Sequence, residues 1–256
     1  MSSIDFTWLI GGPQGSGVES GANICSRVCA EMGYQVFGKR EFYSNIKGEH
    51  SYFAVRVSDQ AVHSNVNDVD IMVSYDAETI FRHATEVKSE GYIIYDSDIT
   101  DITTDEVHTL DSYFKSRLHD YLKTKNKSFS IKGLLETATE RGVELHPISF
   151  RGMLANLSEE TNNPKLRGMI RMFNVIGVSM TLGFLHISLD SLLDAVNTIF
   201  SAKPKIAEIN KKAAIHGYNF ANTKFPKPKF SIGSPNKKPN TLLVQGHQGT
   251  AIGKMV

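Results

Sequence analysis

Hydrophobic and polar positions in the first half of the chain alternate between short apolar runs and helical periodicity. Phe6-Thr7-Trp8-Leu9-Ile10 predicts a buried strand that runs straight into glycines. Residues 17–32 then carry apolar or thiol side chains at helical spacing (Val18, Ala22, Cys25, Cys29, Met32), with Gly33 as the stop. Tyr34-Gln35-Val36-Phe37 predicts a second strand, and Ser51 to Val57 alternates as a half-exposed strand would. Buried strands follow at Val69-Asp70-Ile71-Met72-Val73 and Tyr92-Ile93-Ile94-Tyr95-Asp96, separated by a helix over residues 77–89, and residues 142–148 close the series. Strands alternating with helices predict an α/β fold of βαβ units around a mostly parallel sheet. Ligands of such sheets bind beyond the carboxyl ends of the strands, which directs attention to residues 11–17, 38–50 and 74–78.

The pattern changes further along. Residues 98–142 are polar and charged, and Lys123-Thr124-Lys125-Asn126-Lys127 reads as the solvated face of an insertion or peripheral helix. Residues 163–200 are strongly helical and apolar but broken by Gly177 and Gly183, small residues of the kind common at subunit contacts, and Ser188 is placed to cap a second helix. Residues 202–240 hold Lys203, Lys205, Lys211, Lys212, Lys224, Lys227, Lys229, Lys237 and Lys238 against one acid, Glu208, and are interrupted by five prolines. That composition predicts an extended basic linker. From residue 241 a strand-like Thr241-Leu242-Leu243-Val244 leads into Gln245-Gly246-His247-Gln248-Gly249-Thr250-Ala251, a second strand–glycine-turn–helix pattern too short to complete a fold unit. The chain is therefore expected to be one piece of a longer polypeptide.

Composition narrows the function classes. The 256 residues carry a net charge of +1, so no whole-surface basic field attracts nucleic acid. Two cysteines, Cys25 and Cys29, are too few for a disulfide scaffold or an all-cysteine cluster, and they read as buried thiols. No apolar run approaches the ~20 residues that span a bilayer, and Met1-Ser2-Ser3-Ile4-Asp5 does not open a signal peptide. The expectation is a cytoplasmic protein with neither nucleic acid nor membrane as partner.

Gly11-Gly12-Pro13-Gln14-Gly15-Ser16-Gly17 lies between the first strand and its helix. Glycines bring backbone N–H groups close to an anion, and a helix N-terminus favours negative charge, so the segment suits a phosphate or carboxylate. It is not a P-loop, because Val18-Glu19 stands where Lys-Ser/Thr is needed. It also departs from the dinucleotide fingerprint: counting from Gly15, the third glycine would fall on Ser20. Gly38-Lys39-Arg40 replaces the ribose-binding acid. Lys39 and Arg40 suit the phosphate of NADP or coenzyme A, or are solvent-facing side chains beside a structural turn. Residues 40–53 mix aromatic, basic and acidic side chains on the same predicted edge, and Lys47 before Gly48 offers a mobile ammonium to an anion.

Gly-Gly-x-Gln-Gly-x-Gly at 11–17 and Tyr43-Ser44-Asn45-Ile46-Lys47-Gly48-Glu49-His50-Ser51 together resemble the γ domain of 2-oxoacid:ferredoxin oxidoreductases, in the archaeal type that fuses γ in front of α. The resemblance covers roughly residues 5–200, and Val244 to Gly253 is similar to the glycine turn that opens the family's α domain. It implies a Rossmann-like γ domain over 1–200, a linker over 201–240 and, over 241–256, the start of a thiamine-diphosphate-dependent α domain. It further implies coenzyme A-dependent oxidative decarboxylation of a 2-oxoacid with reduction of ferredoxin. Coenzyme A is then a co-substrate, while thiamine diphosphate, Mg2+ and [4Fe-4S] clusters are held elsewhere. The implied partners are the rest of the α subunit and a β subunit in a heterodimer. Lys47 matches the family's loop lysine and is the expected catalytic residue. Gly11, Gly12, Gln14, Gly15, Ser16, Gly17, Lys39, Arg40, Tyr43, Ser44, Asn45, Gly48 and Glu49 are expected around coenzyme A. Two alternatives remain: a stand-alone NADP-binding reductase, and an interaction domain whose 163–200 helices hold subunits together.

Overall fold

The computed structural model describes residues 4–42, 48–230, 232–233 and 242–255. Tyr43, Ser44, Asn45 and Lys47 lie outside the described residues, as does Thr241. Six strands form one sheet in the order β2-β3-β1-β4-β5-β6. They are β1 (Asp5–Pro13), β2 (Gln35–Phe42), β3 (His50–Ser58), β4 (Val69–Ser74), β5 (Val87–Asp96) and β6 (Glu144–Ile148). β1, β4, β5 and β6 pair in parallel, whereas β3 pairs antiparallel with both β1 and β2. The sheet is thus mostly parallel, as expected, with β3 alone reversed. Its reversal follows from length: seven residues join β2 to β3, and a parallel crossover needs a dozen or more. The short connection accordingly returns at the carboxyl edge of the parallel strands.

Alternating side chains feed two cores. Trp8, Ile10, Ile71, Val73 and Ile94 face α1 (Val18–Glu31) and a group of later helices, while Leu9, Met72 and Ile93 face α2 (Ala77–His83), α3 (Ser112–Thr124) and α4 (Ile131–Glu140). On the first side α5 (Phe150–Glu160), α6 (Phe173–Phe184), α7 (Leu189–Ile199) and α8 (Pro204–Lys224) pack in turn. Every residue of α6 is buried. Trp8 on β1 donates its indole N–H to Thr181 of that helix at 2.9 Å.

Four expectations are corrected. Residues 204–224 are a helix, not an extended linker: Ala207, Asn210, Ala213, Ala214, Gly217 and Ala221 form a buried small-residue stripe that the lysines on the other faces obscure. Gly177 and Gly183 admit Val73 and the backbone of Tyr218, so they serve contacts within the chain rather than between subunits. The helix starting at Ala77 stops at His83, continues as a single turn to Glu86 and gives way to β5. There Arg141 collects the freed carbonyls of Ala84, Thr85 and Val87. Leu242, Leu243 and Val244 are exposed and form no strand; the helix after them, α9 (Gly246–Lys254), is present.

Beyond α8 the chain runs as a strap along the amino-terminal half of the sheet. Phe225 stacks on His146, the Lys229 N–H donates to the Tyr92 hydroxyl at 2.7 Å, and Phe230 meets Phe6. The Tyr34 hydroxyl closes the strap by donating to the Gly233 carbonyl at 2.6 Å.

Candidate functional site

β1 leads to α1 on one face and its neighbour β4 leads to α2 on the other, so their carboxyl ends open the crevice where α/β sheets bind ligands. The glycine turn occupies it. Gly15 (φ 89°) and Gly17 (φ 97°) both adopt the left-handed conformation that glycine tolerates without strain. Gly17 caps α1 without a side chain, so no side-chain hydrogen bond from the cap residue occupies the first amides of that helix. Asn174 on α6 fixes the turn by donating its side-chain N–H to the Gly17 carbonyl at 2.6 Å. Ser16 shares a hydrogen bond with the Tyr75 hydroxyl at 3.1 Å. Gly11 and Gly12 sit earlier, within β1, where side chains would strike Thr79 and Tyr75.

The β1–β3 ladder does not stop at its last strand pair, Pro13 and His50. Gln14 N–H donates to the Glu49 carbonyl at 2.6 Å, and Gly48 N–H donates to the Gln14 carbonyl at 3.1 Å. The second motif is thereby clipped by backbone bonds to the first. Lys39 and Arg40 project from edge strand β2 to opposite faces. Lys39 pairs with Glu41 at 2.5 Å, and Arg40 pairs with Glu19 of α1 at 2.9 Å. Each cation therefore already has a carboxylate partner.

Several polar residues near this edge were not singled out from sequence. His50 and His83 bring their Nε2 atoms to 3.0 Å, and His83 Nδ1 lies 2.8 Å from Glu86. Burial, then the His83 and Arg82 charges, push His50 down to about 3. Tyr52 donates to Glu41 at 2.9 Å, and the Lys39 contact holds the Glu41 carboxyl below its ordinary value. Asp76 caps α2 by accepting from Thr79 N–H at 3.1 Å, and loss of solvent raises its carboxyl to about 6. The period of two along β3 puts His50 and Tyr52 on one face, a signal available in sequence; nothing local announces that His83 meets them.

With this geometry in view, comparison with known proteins is decisive. The family model for pyruvate ferredoxin/flavodoxin oxidoreductase matches residues 7–220. The chain belongs to this oxidoreductase family. The α subunit of 2-oxoacid:ferredoxin oxidoreductase 1 from Sulfurisphaera tokodaii is 31% identical over 249 residues, 97% of this chain and 38% of that subunit. The chain thus spans well under half the length of the curated relatives it matches. Among solved structures, 2-oxoglutarate:ferredoxin oxidoreductase from Magnetococcus marinus, with 2-oxoglutarate, coenzyme A and succinyl-CoA bound, superimposes with a TM-score of 0.65 at 18% identity. The match covers 93% of this chain and 34% of that one. A keto/oxoacid ferredoxin oxidoreductase γ subunit from Geobacter sulfurreducens gives 0.56 at 15% identity and is matched over 97% of its length. These two likenesses extend the shared fold from a large chain to a separate subunit.

Among the described residues, the two cysteines do not fit an iron–sulfur cluster. Cys25 and Cys29 are each 1% exposed inside α1, and their mutual hydrogen bond together with burial raises the Cys25 thiol well above its ordinary value. Such thiols are poor cluster ligands. Among the described residues, no helix is long and apolar enough to cross a membrane.

Proposed function

We propose that this chain supplies the γ portion of a cytoplasmic 2-oxoacid:ferredoxin oxidoreductase, a complex that oxidatively decarboxylates 2-oxoacids to acyl-CoA and CO2 and reduces ferredoxin. The observation that carries this reading is the backbone clip between Gln14 and residues 48–49. It joins the glycine turn to the connection bearing Lys47 at the carboxyl edge of a family-matched sheet. The amides at Gly15 to Gly17 and the start of α1 suit an anionic group of coenzyme A. Lys47 supplies a point charge for coenzyme A or the acyl intermediate, and Tyr43, Ser44, Asn45, Gly48 and Glu49 shape its loop. Thiamine diphosphate, Mg2+ and [4Fe-4S] clusters are assigned to the remainder of the α subunit and to a β subunit, with ferredoxin as acceptor.

The geometry favours neither alternative. An NADP phosphate would have to displace Glu41 from Lys39 and Glu19 from Arg40. Val175 and Val178 are wholly buried, so they are not available as a subunit-docking face. The deciding experiment is steady-state kinetics of the assembled complex carrying Lys47→Ala. The expected result is a rise of tenfold or so in KM for coenzyme A or the 2-oxoacid, equivalent to about 1.4 kcal/mol of lost binding. Wild-type constants would remove Lys47 from the site.

A further inference from the structure

Beneath the amino end of β3, His83 of α2 reaches His50, and Glu86 of the turn after α2 reaches His83. His50 and His83 are 1% and 3% exposed, and their Nε2 atoms are 3.0 Å apart. The far nitrogen of His83, Nδ1, is 2.8 Å from Glu86 Oε2. A carboxylate only accepts, so Glu86 takes the Nδ1–H of His83 and leaves a lone pair on His83 Nε2. The proton between the two rings then belongs to His50, whose Nδ1 in turn carries a lone pair. One exposed carboxylate thus fixes the tautomers of two buried rings.

We infer that Glu86, His83 and His50 form a proton-ordered relay that sets which hydrogen-bonding character His50 Nδ1 presents at the foot of the connection 43–49. Glu86 and His83 are positioning residues for His50, which directly follows Gly48 and Glu49; the part of those residues in the coenzyme A side rests on the function proposed above. The relay has a second state one proton away. A proton entering at His50 Nδ1 is matched by transfer of the Nε2 proton from His50 to His83 Nε2. The pair gains one proton, the positive charge settles on His83 against Glu86, and His50 Nδ1 changes from acceptor to donor.

The neighbours favour that placement of charge. On α2, Arg82 is engaged by Glu78 at 2.7 Å, and Asp76 stands ahead of the helix. On β3 the Tyr52 ring lies 4.3 Å from His83, and on β2 Glu41 is held by Lys39 and Tyr52. Glu86, 40% exposed, is the carboxylate in hydrogen-bond contact with the pair among the described residues. Burial keeps His50 itself neutral well below the ordinary histidine range.

Long-range 1H–15N spectra of the full chain labelled at histidine read tautomers directly, over about pH 4 to 9. The expected result at the alkaline end is Nε2–H on His50 and Nδ1–H on His83. On acidification His83 becomes imidazolium, and His50 changes to Nδ1–H with the same midpoint. Glu86→Gln, at a solvent-facing side chain, is expected to keep both tautomers and lower that midpoint by about one pH unit, a tenfold loss of proton affinity. An Nδ1–H His50 at alkaline pH, separate midpoints for the two rings, or an unmoved midpoint in Glu86→Gln would overturn the relay. In the assembled complex the same variant is expected to displace the pH profile of KM for coenzyme A. An unchanged profile there would sever the relay from the connection, whereas Lys47→Ala independently tests the function itself.

Discussion

At the carboxyl edge, His50 is held by a nitrogen-to-nitrogen bond to His83 and, through it, by Glu86. Across the sheet, His146 is enclosed by ring faces: Phe225 of the strap at 4.2 Å, Tyr92 at 6.0 Å and Phe184 at 5.4 Å. Both imidazoles are buried and both are held neutral, His50 down to about 3 and His146 down to about 4. The first is used for its directional nitrogens, the second for its stacked ring, with the Glu144 carboxylate 3.4 Å from its Nε2. Burial alone therefore does not mark a functional histidine; the partners of its nitrogens do.

The largest effect is expected from acid, which acts on both edges because His50 and His146 are both held neutral. Folding needs a neutral His146, while the unfolded ring binds a proton near its ordinary 6.5. Stability is then fully present above pH 6.5, falls between 6.5 and about 4, and changes no further through this ring below that. The window corresponds to a loss on the order of 3 kcal/mol. His146→Phe, which keeps the stack, is expected to make that limb of a urea-melt series against pH shallower, the remainder belonging to His50. A limb as steep as wild type would mean that His146 is not its source.

Next comes Phe225→Ala. Truncating a half-buried ring is expected to cost roughly 2 kcal/mol. Hydrogen exchange should accelerate at Lys229 while the Gln14 and Gly48 amides keep their protection. Equal acceleration at both edges would show that the strap and the site open together.

Gly17→Ala attacks the other edge. Its φ of 97° disfavours a side chain and a methyl there meets the Asn174 amide, so about 2 kcal/mol is expected, with loss of protection centred on the first turn of α1. A stability equal to wild type would mean that the turn relaxes freely. The smallest effect is Tyr52→Phe, which removes the hydrogen bond to Glu41 at about 1 kcal/mol and is readable as a small fall in urea midpoint.

How much of this was legible in sequence differs by edge as well. The glycine turn, α1, the apolar strands and the Ser188 cap, which accepts from Ser191 N–H, are local patterns, and each formed where its residues predict. The reversed β3 was missed because alternation fixes faces, not direction. His83 was missed because it lies 33 residues from His50 in sequence, and only packing of α2 against the sheet unites them. The strap and α8 were obscured by lysines and prolines on their outer sides. Their alanines and phenylalanines do the packing, and net composition averages the two.

The strap also dictates an order of assembly. The contacts of the glycine turn with residues 48–49 span fewer than 40 positions and can form early as the chain emerges from the ribosome. The strap's bonds join residues 137 and 199 positions apart, Lys229 to Tyr92 and Gly233 to Tyr34. Until Gly233 has been synthesised, the aromatic surface of Phe6, Tyr92 and His146 stays uncovered and exposed to chaperones or to other nascent chains. The Gln14 clip is thus local, whereas the Asn174 bond that fixes the turn, 157 positions away, and the strap both wait for the later helices.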